Sequence, residues 1–366
     1  MTVSVNVIPE FSELLKIEVA WNESINKYGK NPFFLTGFVK QSMESYRSKG
    51  WTPLPLVISA NDIIGGIVPL MTRKRFGVRT VKFLSRNWLS PDLILDDQYR
   101  QTYASYILDF LFKTLRCQFV DLTLPVESPN LQILKQMCEA KRIYFWVNPY
   151  MGHCIIQIQH TWDEFEKQRG YNFRRRFKRL ERKLSQAGLW RTICIGKRNN
   201  GSDIIERILD VERKSWKQAW RARREIEMDQ DLLMVWRASQ YTARTVPNFV
   251  WKVWFLELNG QTLAYTLVLQ YKDTAYIVKT SFDDGYRKFQ PSIYINNVAI
   301  RELFKERQVK NIDWLTDLHF HRNWTNISIP RVNVMMSRSS VIRTMIKFVL
   351  PNIPTHMRAI LDPLLK

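Results

Sequence analysis

Apolar residues recur along the chain with two spacings, and each spacing predicts one kind of secondary structure. Short apolar or alternating runs between turn residues are typical of strands, whereas apolar residues three and four positions apart form a stripe along a helix. The predicted strands are residues 3–8, 54–60, 63–72, 78–84, 119–124, 190–195, 249–258, 262–271, 274–282, 311–315 and 332–336. The predicted helices are residues 9–27, 34–48, 99–115, 130–140, 204–223, 229–243 and 293–306, with two short amphipathic helices in residues 340–366.

The strand pattern occurs twice with the same order of elements. Residues 54–70, LPLVISANDIIGGIVPL, and residues 254–269, WFLELNGQTLAYTLVL, both read as strand, Asn-containing turn and strand, followed by a third strand and later a helix. Turns this short join antiparallel strands. The sequence therefore predicts a duplicated α/β (α+β) fold with mixed, mostly antiparallel sheets flanked by helices. We expect one domain at residues 1–157 and a second at residues 158–366.

A strongly basic stretch, residues 161–188, stands ahead of the second copy. Its apolar residues recur at i, i+4, i+7 and i+11 and predict one stripe down a helix at residues 161–187: Phe173, Phe177, Leu180 and Leu184. The residues between them are Arg174, Arg175, Arg176, Lys178, Arg179, Glu181, Arg182 and Lys183. Such a helix packs its apolar face on a core. Its other face is either a solvated basic surface or a surface that binds phosphates.

The composition agrees with a folded protein that has an anionic partner. The 366 residues, 45% of them hydrophobic, exclude a disordered chain and suffice for about two domains. The formal net charge of +21 favours nucleic acid, an anionic membrane surface or a phosphorylated small molecule, without choosing among them.

Cysteine usage and the absence of export signals indicate an intracellular protein. Four widely spaced cysteines form no CxxC pair, so we expect reduced, mostly buried thiols: Cys117, Cys138, Cys154 and Cys194. No basic segment followed by an apolar run opens the chain, and no stretch approaches the ~18 apolar residues of a spanning helix. We expect a cytoplasmic protein. Its C-terminal helices either pack on the domain or contact the inner surface of the membrane.

Candidate chemistry is concentrated near residues 316–325, TDLHFHRNWT. If residues 318–322 are extended, His319 and His321 point to one face beside Asp317. Such a cluster suits a general base for an attacking amine, and the alternative is a pair of exposed loop histidines. A metal site lacks a third ligand at suitable spacing, so we expect no metal. The chain contains no Walker loop, G-x-G-x-x-G, H-E-x-x-H or G-x-S-x-G motif.

A second candidate site is the segment SFDDGYRKFQPSI at residues 281–293. It reads as the end of a strand, a polar turn and the start of a helix, with Pro291 in the first helical turn. A helix N-terminus beside Arg287 and Lys288 can bind an anion, although an ordinary capped helix start has the same pattern.

Taken in order, these segments resemble a known family. The segments on which the resemblance rests are GYNFRRRFKRLERKLSQAG at 170–188, LDVERKSWK at 209–217, LELNGQTLAYTLVLQYKDTAYIVKTSFDDGYRKFQPS at 256–292 and IDWLTDLHFHRNW at 312–324. Together they resemble the CelD/BioF-type acetyltransferases of the Gcn5-related N-acyltransferase superfamily, which are relatives of the Fem-type aminoacyltransferases. The resemblance is clearest over residues 162–324, and residues 1–155 fit a degenerate first copy.

The resemblance implies two fused acyltransferase units with an active cleft between them, and transfer of an acyl group to an amine. The residues that it implies at the donor side are Arg175, Arg179, Arg182, Trp216, Lys217, Arg287, Lys288, Gln290 and Ser292. It implies that residues 317–321 line the acceptor side. We expect the base and the acid or orienting hydroxyl to come from Asp317, His319, His321, Tyr265 and Tyr286.

Two departures leave the donor open. Phe320-His321 replaces a Tyr-Lys pair of relatives, and the loop at Gln290 lacks the glycines that usually let backbone amides approach a diphosphate. Acyl-coenzyme A is the leading donor. Aminoacyl-tRNA is the alternative because the charge of +21 and the arginine-rich helix suit a larger polyanion. A third hypothesis is a non-catalytic protein that binds nucleic acid or a membrane surface.

Overall fold

The computed structural model describes residues 2–29, 31–61, 63–89, 91–196, 203–218 and 230–344. They form two units, the first from residues up to Met151 and from Pro330 onward, the second from Gly152–Ile329. The strands are β1 (Val3–Val7), β2 (Thr52–Ala60), β3 (Ile63–Arg75), β4 (Val78–Phe83), β5 (Ile94–Leu95), β6 (Phe119–Pro125), β7 (Tyr144–Gln157), β8 (Trp190–Gly196), β9 (Phe249–Leu258), β10 (Gln261–Tyr271), β11 (Thr274–Phe282), β12 (Asn311–Asp313) and β13 (Ser328–Ser337).

Helices connect these strands in both units. They are α1 (Phe11–Lys16), α2 (Glu18–Tyr28), α3 (Thr36–Arg47), α4 (Arg100–Asp109), α5 (Pro129–Ala140), α6 (Trp162–Gln168), α7 (Tyr171–Ala187), α8 (Asp203–Lys214), α9 (Gln230–Thr245), α10 (Pro291–Phe304) and α11 (Ser340–Thr344). None of the helices in the described ranges is long and apolar enough to cross a membrane.

The first unit contains a mixed sheet in the order β1-β2-β3-β4-β6-β13. Its neighbouring strands are antiparallel except for β4 and β6, which run parallel, and the short β5 pairs with β3. Strand β13 joins β6 through residues 331–336. Because of this pairing, the chain from Pro330 belongs with the first unit, whereas the sequence-based division assigned it to the second domain.

The second unit repeats this plan in the order β8-β9-β10-β11-β12-β7. Again all neighbours are antiparallel except one pair, β11 and β12. The side chains of β9 alternate between two layers of helices. Trp254 and Leu256 join the core beneath α7 and α10, while Trp251 packs against Trp236 of α9 with ring centroids 5.0 Å apart.

The two units share one order of elements, as the repeated pattern predicted. In the first unit β2, β3 and β4 are followed by α4 and the parallel strand β6; in the second, β9, β10 and β11 are followed by α10 and the parallel strand β12. The predicted hairpins are present. Asn259 and Gly260 connect β9 to β10 with φ of 51° and 80°, the left-handed values that a tight hairpin turn requires.

The basic helix has the predicted apolar stripe. Phe173, Phe177, Leu180 and Leu184 are all buried in the core beneath α7. The predicted helix at residues 161–187 is nevertheless two helices, because Gly170 adopts φ of 86° between α6 and α7.

The end of α7 is fixed by a neighbouring hairpin. Gly188 adopts φ of 144°, and a Cβ at this position would lie 2.1 Å from Oδ1 of Asn259. Asn259 accepts a hydrogen bond from the Leu189 N–H (2.9 Å) and donates one to the Ala187 carbonyl (3.3 Å). The hairpin between β9 and β10 therefore caps the basic helix.

Some elements differ from the prediction. The helix expected at residues 9–27 is interrupted at Ile17 into α1 and α2. Strand β7 was not predicted, because Asn148, Pro149 and Gly152 are turn-forming residues in the middle of its sequence. In the C-terminal segment, α11 is described and the rest of the predicted pair of helices lies outside the described residues, as does the end of the helix expected at residues 204–223.

We predict that Phe177→Ala lowers the free energy of unfolding by about 3–5 kcal/mol, because it empties a well-packed aromatic position. Phe177 is 5% exposed and its ring lies 4.9 Å from that of Phe173. The matched control, Arg179→Ala on the exposed face of the same helix, should change it by no more than about 0.5 kcal/mol. Urea denaturation measures both. Equal effects would mean that the apolar stripe does not anchor α7.

Candidate active site

The sheet of the second unit opens between β11 and β12. The two strands pair only between residues 274–276 and Asn311–Asp313. Beyond Asp313 the chain follows β7 instead, because the Trp314 N–H donates to the Cys154 carbonyl and the Cys154 N–H donates to the Thr316 carbonyl, both at 3.0 Å. Residues 277–282 of β11 pair with β10, and no described strand pairs with their other edge. Such an edge offers backbone N–H and C=O groups to a bound molecule.

A buried amide lies next to this part of β11. The Thr266 hydroxyl donates to Oδ1 of Asn296 in α10 (2.8 Å) and lies 3.1 Å from the hydroxyl of Thr280 in β11. Asn296 is fully buried, and its Nδ2 has no partner among the described residues. An N–H donor is thus left unused beside the open strand.

The start of α10 has the features of an anion site. Gln290 is the N-cap residue in the left-handed conformation, with φ of 49°, and Pro291 opens the helix. The first turn of any α-helix leaves backbone N–H groups without helical acceptors, and here Ser292 and Ile293 carry them. These groups and the helix dipole create positive potential at this end of α10.

Arg176 of α7 reaches the start of α10. Its Nε and Nη2 donate to Oε1 of Gln290 at 3.1 and 2.7 Å, and its Nη1 donates to Oδ1 of Asn323. Both acceptors are neutral amides, so the positive charge has no carboxylate partner among the described residues. Burial, and then the nearby charge of Arg179, lower the pKa of Arg176. A half-buried cation beside a second cation and a helix N-terminus is stabilised by a bound anion.

Arg176 was not among the predicted donor-binding residues, although its position could have identified it. It follows Phe173 by three residues and precedes Leu180 by four, so it lies beside the apolar stripe of α7. The three predicted arginines, Arg175, Arg179 and Arg182, lie on the outer face instead and are exposed. Together with Lys178 and Lys183 they form what we call the basic face. Within the described ranges none of its side chains forms an ion pair.

Two other predicted donor residues lie in the same turn and differ in their side-chain contacts. Arg287 pairs with Asp284 at 2.7 Å, and Lys288 is exposed with its Nζ 5.1 Å from the centre of the Phe289 ring. The Tyr286 hydroxyl donates to Oε1 of Gln261 (2.9 Å). Tyr286 therefore stabilises the turn through a side-chain contact with β10.

Lys217 and Tyr265 lie at a polar cluster inside the unit, and Trp216 is 52% exposed. The Tyr265 hydroxyl donates to Oε1 of Glu212 (2.6 Å), and both side chains are buried. Nζ of Lys217 donates to the Thr280 carbonyl (3.0 Å) and lies 3.8 Å from Glu212. These bonds connect α8 and the residues after it to β10 and β11. The geometry suits Tyr265 to a structural role rather than to proton transfer.

Asp317 is surrounded by hydrogen-bond donors. Nη2 of Arg322 donates to both carboxylate oxygens at 2.7 and 2.8 Å, the Cys154 thiol donates to Oδ1 (3.1 Å), and the Ser328 hydroxyl donates to Oδ2. Burial tends to raise the pKa of Asp317, but the bonds from Ser328 and Cys154 and the charge of Arg322 outweigh it and lower the pKa. A carboxylate held in this way is a weak proton acceptor.

The two histidines of the predicted cluster do not share a face. The expected extended conformation at residues 318–322 is wrong, because His319–Asn323 forms a 3-10 turn. His319 is exposed, whereas His321 is buried and stacks on Trp314 with centroids 4.5 Å apart. Nδ1 of His321 lies 2.9 Å from the Thr316 carbonyl, to which it donates. Burial lowers the pKa of His321 to about 4, so the ring is neutral near pH 7.

A histidine that was not predicted forms a closer pair with a carboxylate. Nδ1 of His153, in β7, lies 2.9 Å from both oxygens of Asp313, the last residue of β12. Oδ1 of Asp313 also accepts from the Leu315 N–H (2.6 Å). His153 was missed because β7 was not recognised as a strand. No group of three or more metal-ligating side chains occurs in the described part of the chain.

Comparison with known proteins supports the reading of this unit. Residues 171–322 match the model of the acetyltransferase (GNAT) domain. The chain is an acyltransferase with a GNAT domain. This match confirms the predicted resemblance to Gcn5-related acyltransferases, and it covers the elements that form the open edge and the start of α10. No curated protein matches this acyltransferase by sequence.

Solved structures share the whole fold at low identity. FemX is 9% identical, with 91% of this chain and 97% of that chain covered at a TM-score of 0.59. A conserved protein of unknown function from Bacteroides thetaiotaomicron is 10% identical, with 92% and 100% covered at 0.57. L-PGS from Bacillus licheniformis is 9% identical, with 89% and 92% covered at 0.51. Such likeness shows the fold of this acyltransferase and not its substrates.

The buried His321 should make the acyltransferase sensitive to acid. Its pKa is 6.5 ordinarily and about 4 when folded, so between these values the unfolded chain binds a proton that the folded chain does not. Stability contributed by this residue is therefore present above pH ~6.5 and is lost as the pH falls toward ~4. From pH 7 to pH 5 the loss is about 2 kcal/mol. Urea denaturation should show that His321→Gln removes this part of the pH dependence; identical slopes in both proteins would contradict it.

Proposed function

We propose that the second unit transfers an acyl group from acyl-coenzyme A to an amine. The observation that carries the proposal is the succession of two features along the chain: the open edge at residues 277–282 and the anion site at the start of α10, joined by the turn Asp284–Phe289. Coenzyme A has an extended arm with two amide groups followed by a diphosphate. The arm can pair with the open strand while the diphosphate meets the helix N-terminus.

Arg176 supports this donor next to Gln290 and Pro291, where no glycine stands. Pro291 has no N–H, so fewer backbone donors are available to a diphosphate than in a glycine-rich turn. The guanidinium of Arg176 supplies a charge and N–H groups at the same place, held by neutral acceptors that an anion can displace or share. The unused Nδ2 of Asn296 adds a donor near the extended arm.

The reaction needs no covalent enzyme intermediate. A neutral amine attacks the thioester carbonyl, the C–N bond forms and the C–S bond breaks. The departing thiolate takes up a proton from the nitrogen, and the products are an amide and free coenzyme A. The protein contributes by holding both reactants in position and by offering backbone N–H groups of the open strand to the carbonyl oxygen as negative charge develops on it.

Aminoacyl-tRNA is the second candidate donor, and one observation favours it. The basic face of α7 presents five exposed cations within nine residues, Arg175, Lys178, Arg179, Arg182 and Lys183. A surface of this kind binds a phosphate backbone without sequence preference and with strong salt dependence.

Calorimetry with acetyl-coenzyme A and with total tRNA tests the choice of donor. We expect micromolar binding of acetyl-coenzyme A that falls about tenfold or more in Arg176→Gln, because a charge-assisted contact is lost. Arg182→Gln, on the basic face, is the matched control and should bind acetyl-coenzyme A as the wild type does.

The opposite pattern would support the tRNA donor. Absence of acetyl-coenzyme A binding, with tRNA binding that is abolished by the triple change Arg175→Glu, Arg179→Glu and Arg182→Glu, would overturn the coenzyme A proposal. Melting temperatures of all variants show whether lost binding reflects lost folding.

A further inference from the structure

His153 and Asp313 form a buried pair next to the point where β11 and β12 part. Asp313 is the residue of β12 opposite Tyr276, in the last paired position before the open edge begins. His153 lies on the neighbouring strand β7, and its Nδ1 is 2.9 Å from both oxygens of the Asp313 carboxylate. The pair thus lies where the opening between β11 and β12, called the gap below, begins.

The pair lies on the face of the sheet opposite α10. Cys154 and Ile156 of β7 join the core beneath α7 and α10, and alternation turns His153 to the other face. Ile312 of β12 also joins that core, so Asp313 points away from it as His153 does. An amine that approaches from this face would reach the gap from the side opposite the donor's phosphates.

Asp313 orients the His153 ring and fixes one of its tautomers. The carboxylate accepts from Nδ1, which fixes the hydrogen on that nitrogen and leaves the lone pair on Nε2. No described residue bonds to Nε2, and 9% of the His153 side chain remains exposed. Asp313 is oriented in turn by the Leu315 N–H (2.6 Å). The titratable groups that feel the charge of Asp313 are Tyr276, Cys154 and His321.

We propose that His153 is the general base of the acyl transfer and that Asp313 is its positioning residue. The inference rests on the proposed function, because it assumes an amine acceptor. Nε2 takes one proton from the ammonium group and releases it to solvent. The free amine then attacks the thioester carbonyl. As the C–S bond breaks, the thiolate takes up the second proton from nitrogen, and the products are an amide and a free thiol.

Two features separate this pair from the other candidates. Asp317 is already bound by Arg322, Cys154 and Ser328, so little basicity remains to it. His321 is 2% exposed and stacked on Trp314, and its pKa of about 4 makes it a poor acceptor near neutral pH. His153 combines an orienting carboxylate with a ring nitrogen that is not engaged.

The test compares His153→Gln and Asp313→Asn with the wild type in a thiol-release assay. Acetyl-coenzyme A is the donor, and an amino sugar, a polyamine and an amino acid are the probe amines. His153→Gln should lower kcat/KM by about 10²–10⁴-fold. The pH dependence of the rate of this variant should reflect only the fraction of free amine. The additional loss of rate at acidic pH that the base causes in the wild type should be absent. His160→Gln, an exposed histidine outside the site, is the matched control and should keep the wild-type rate.

Asp313→Asn should lower the rate and weaken the additional loss of rate at acidic pH, because an amide no longer fixes the hydrogen on Nδ1. Nitrogen NMR of the His153 ring should show the Nδ1-protonated form in the wild type and its loss in this variant. If both variants melt like the wild type and keep its rate and pH profile, the role of His153 is overturned and the donor proposal stands. If the wild type fails to bind acetyl-coenzyme A or to release thiol, the proposed function is overturned first.

Discussion

The early end of one strand pairing determines the arrangement of the second unit. Strands β11 and β12 run parallel for only three residue pairs, after which the chain beyond Asp313 hydrogen-bonds to β7. Among the described strands, residues 277–282 consequently have a paired strand, β10, on one side only. A strand edge with no described strand beside it can take up an extended molecule. The helix N-terminus and the histidine–carboxylate pair both lie beside this opening.

Charge placement fits the same opening. Among the described residues, the half-buried guanidinium of Arg176 bonds only to the amide oxygens of Gln290 and Asn323, although a carboxylate would have compensated its charge. Asp317, by contrast, is fully engaged with donors. The positive charge of Arg176 at the start of α10 thus has no carboxylate partner among the described residues, whereas the Asp317 carboxylate is paired with Arg322. This distribution supports the proposed anionic donor at the start of α10, with the proposed acceptor approaching from the opposite face of the sheet.

Local signals in the sequence predicted the repeated elements, whereas elements that depend on long-range contacts were not predicted. The hairpin at Asn259 and the stripe from Phe173 to Leu184 depend on neighbouring residues, so spacing alone identified them. Strand β7 carries turn-forming residues and is stabilised by pairing with β12, which is distant in sequence. The turn at His319–Asn323 depends on stacking of His321 against Trp314. His153, the candidate base, was missed because β7 was not recognised as a strand. The position of Arg176 beside the apolar stripe, in contrast, follows from helical spacing alone.

Hydrogen–deuterium exchange of the whole protein with and without acetyl-coenzyme A tests the central claim most directly. If the donor completes the open strand, the amides of residues 277–282 and of Ser292 and Ile293 should exchange more slowly in its presence, and those of the basic face should not change. Saturating acetyl-coenzyme A that leaves residues 277–282 exchanging at the same rate would contradict the account.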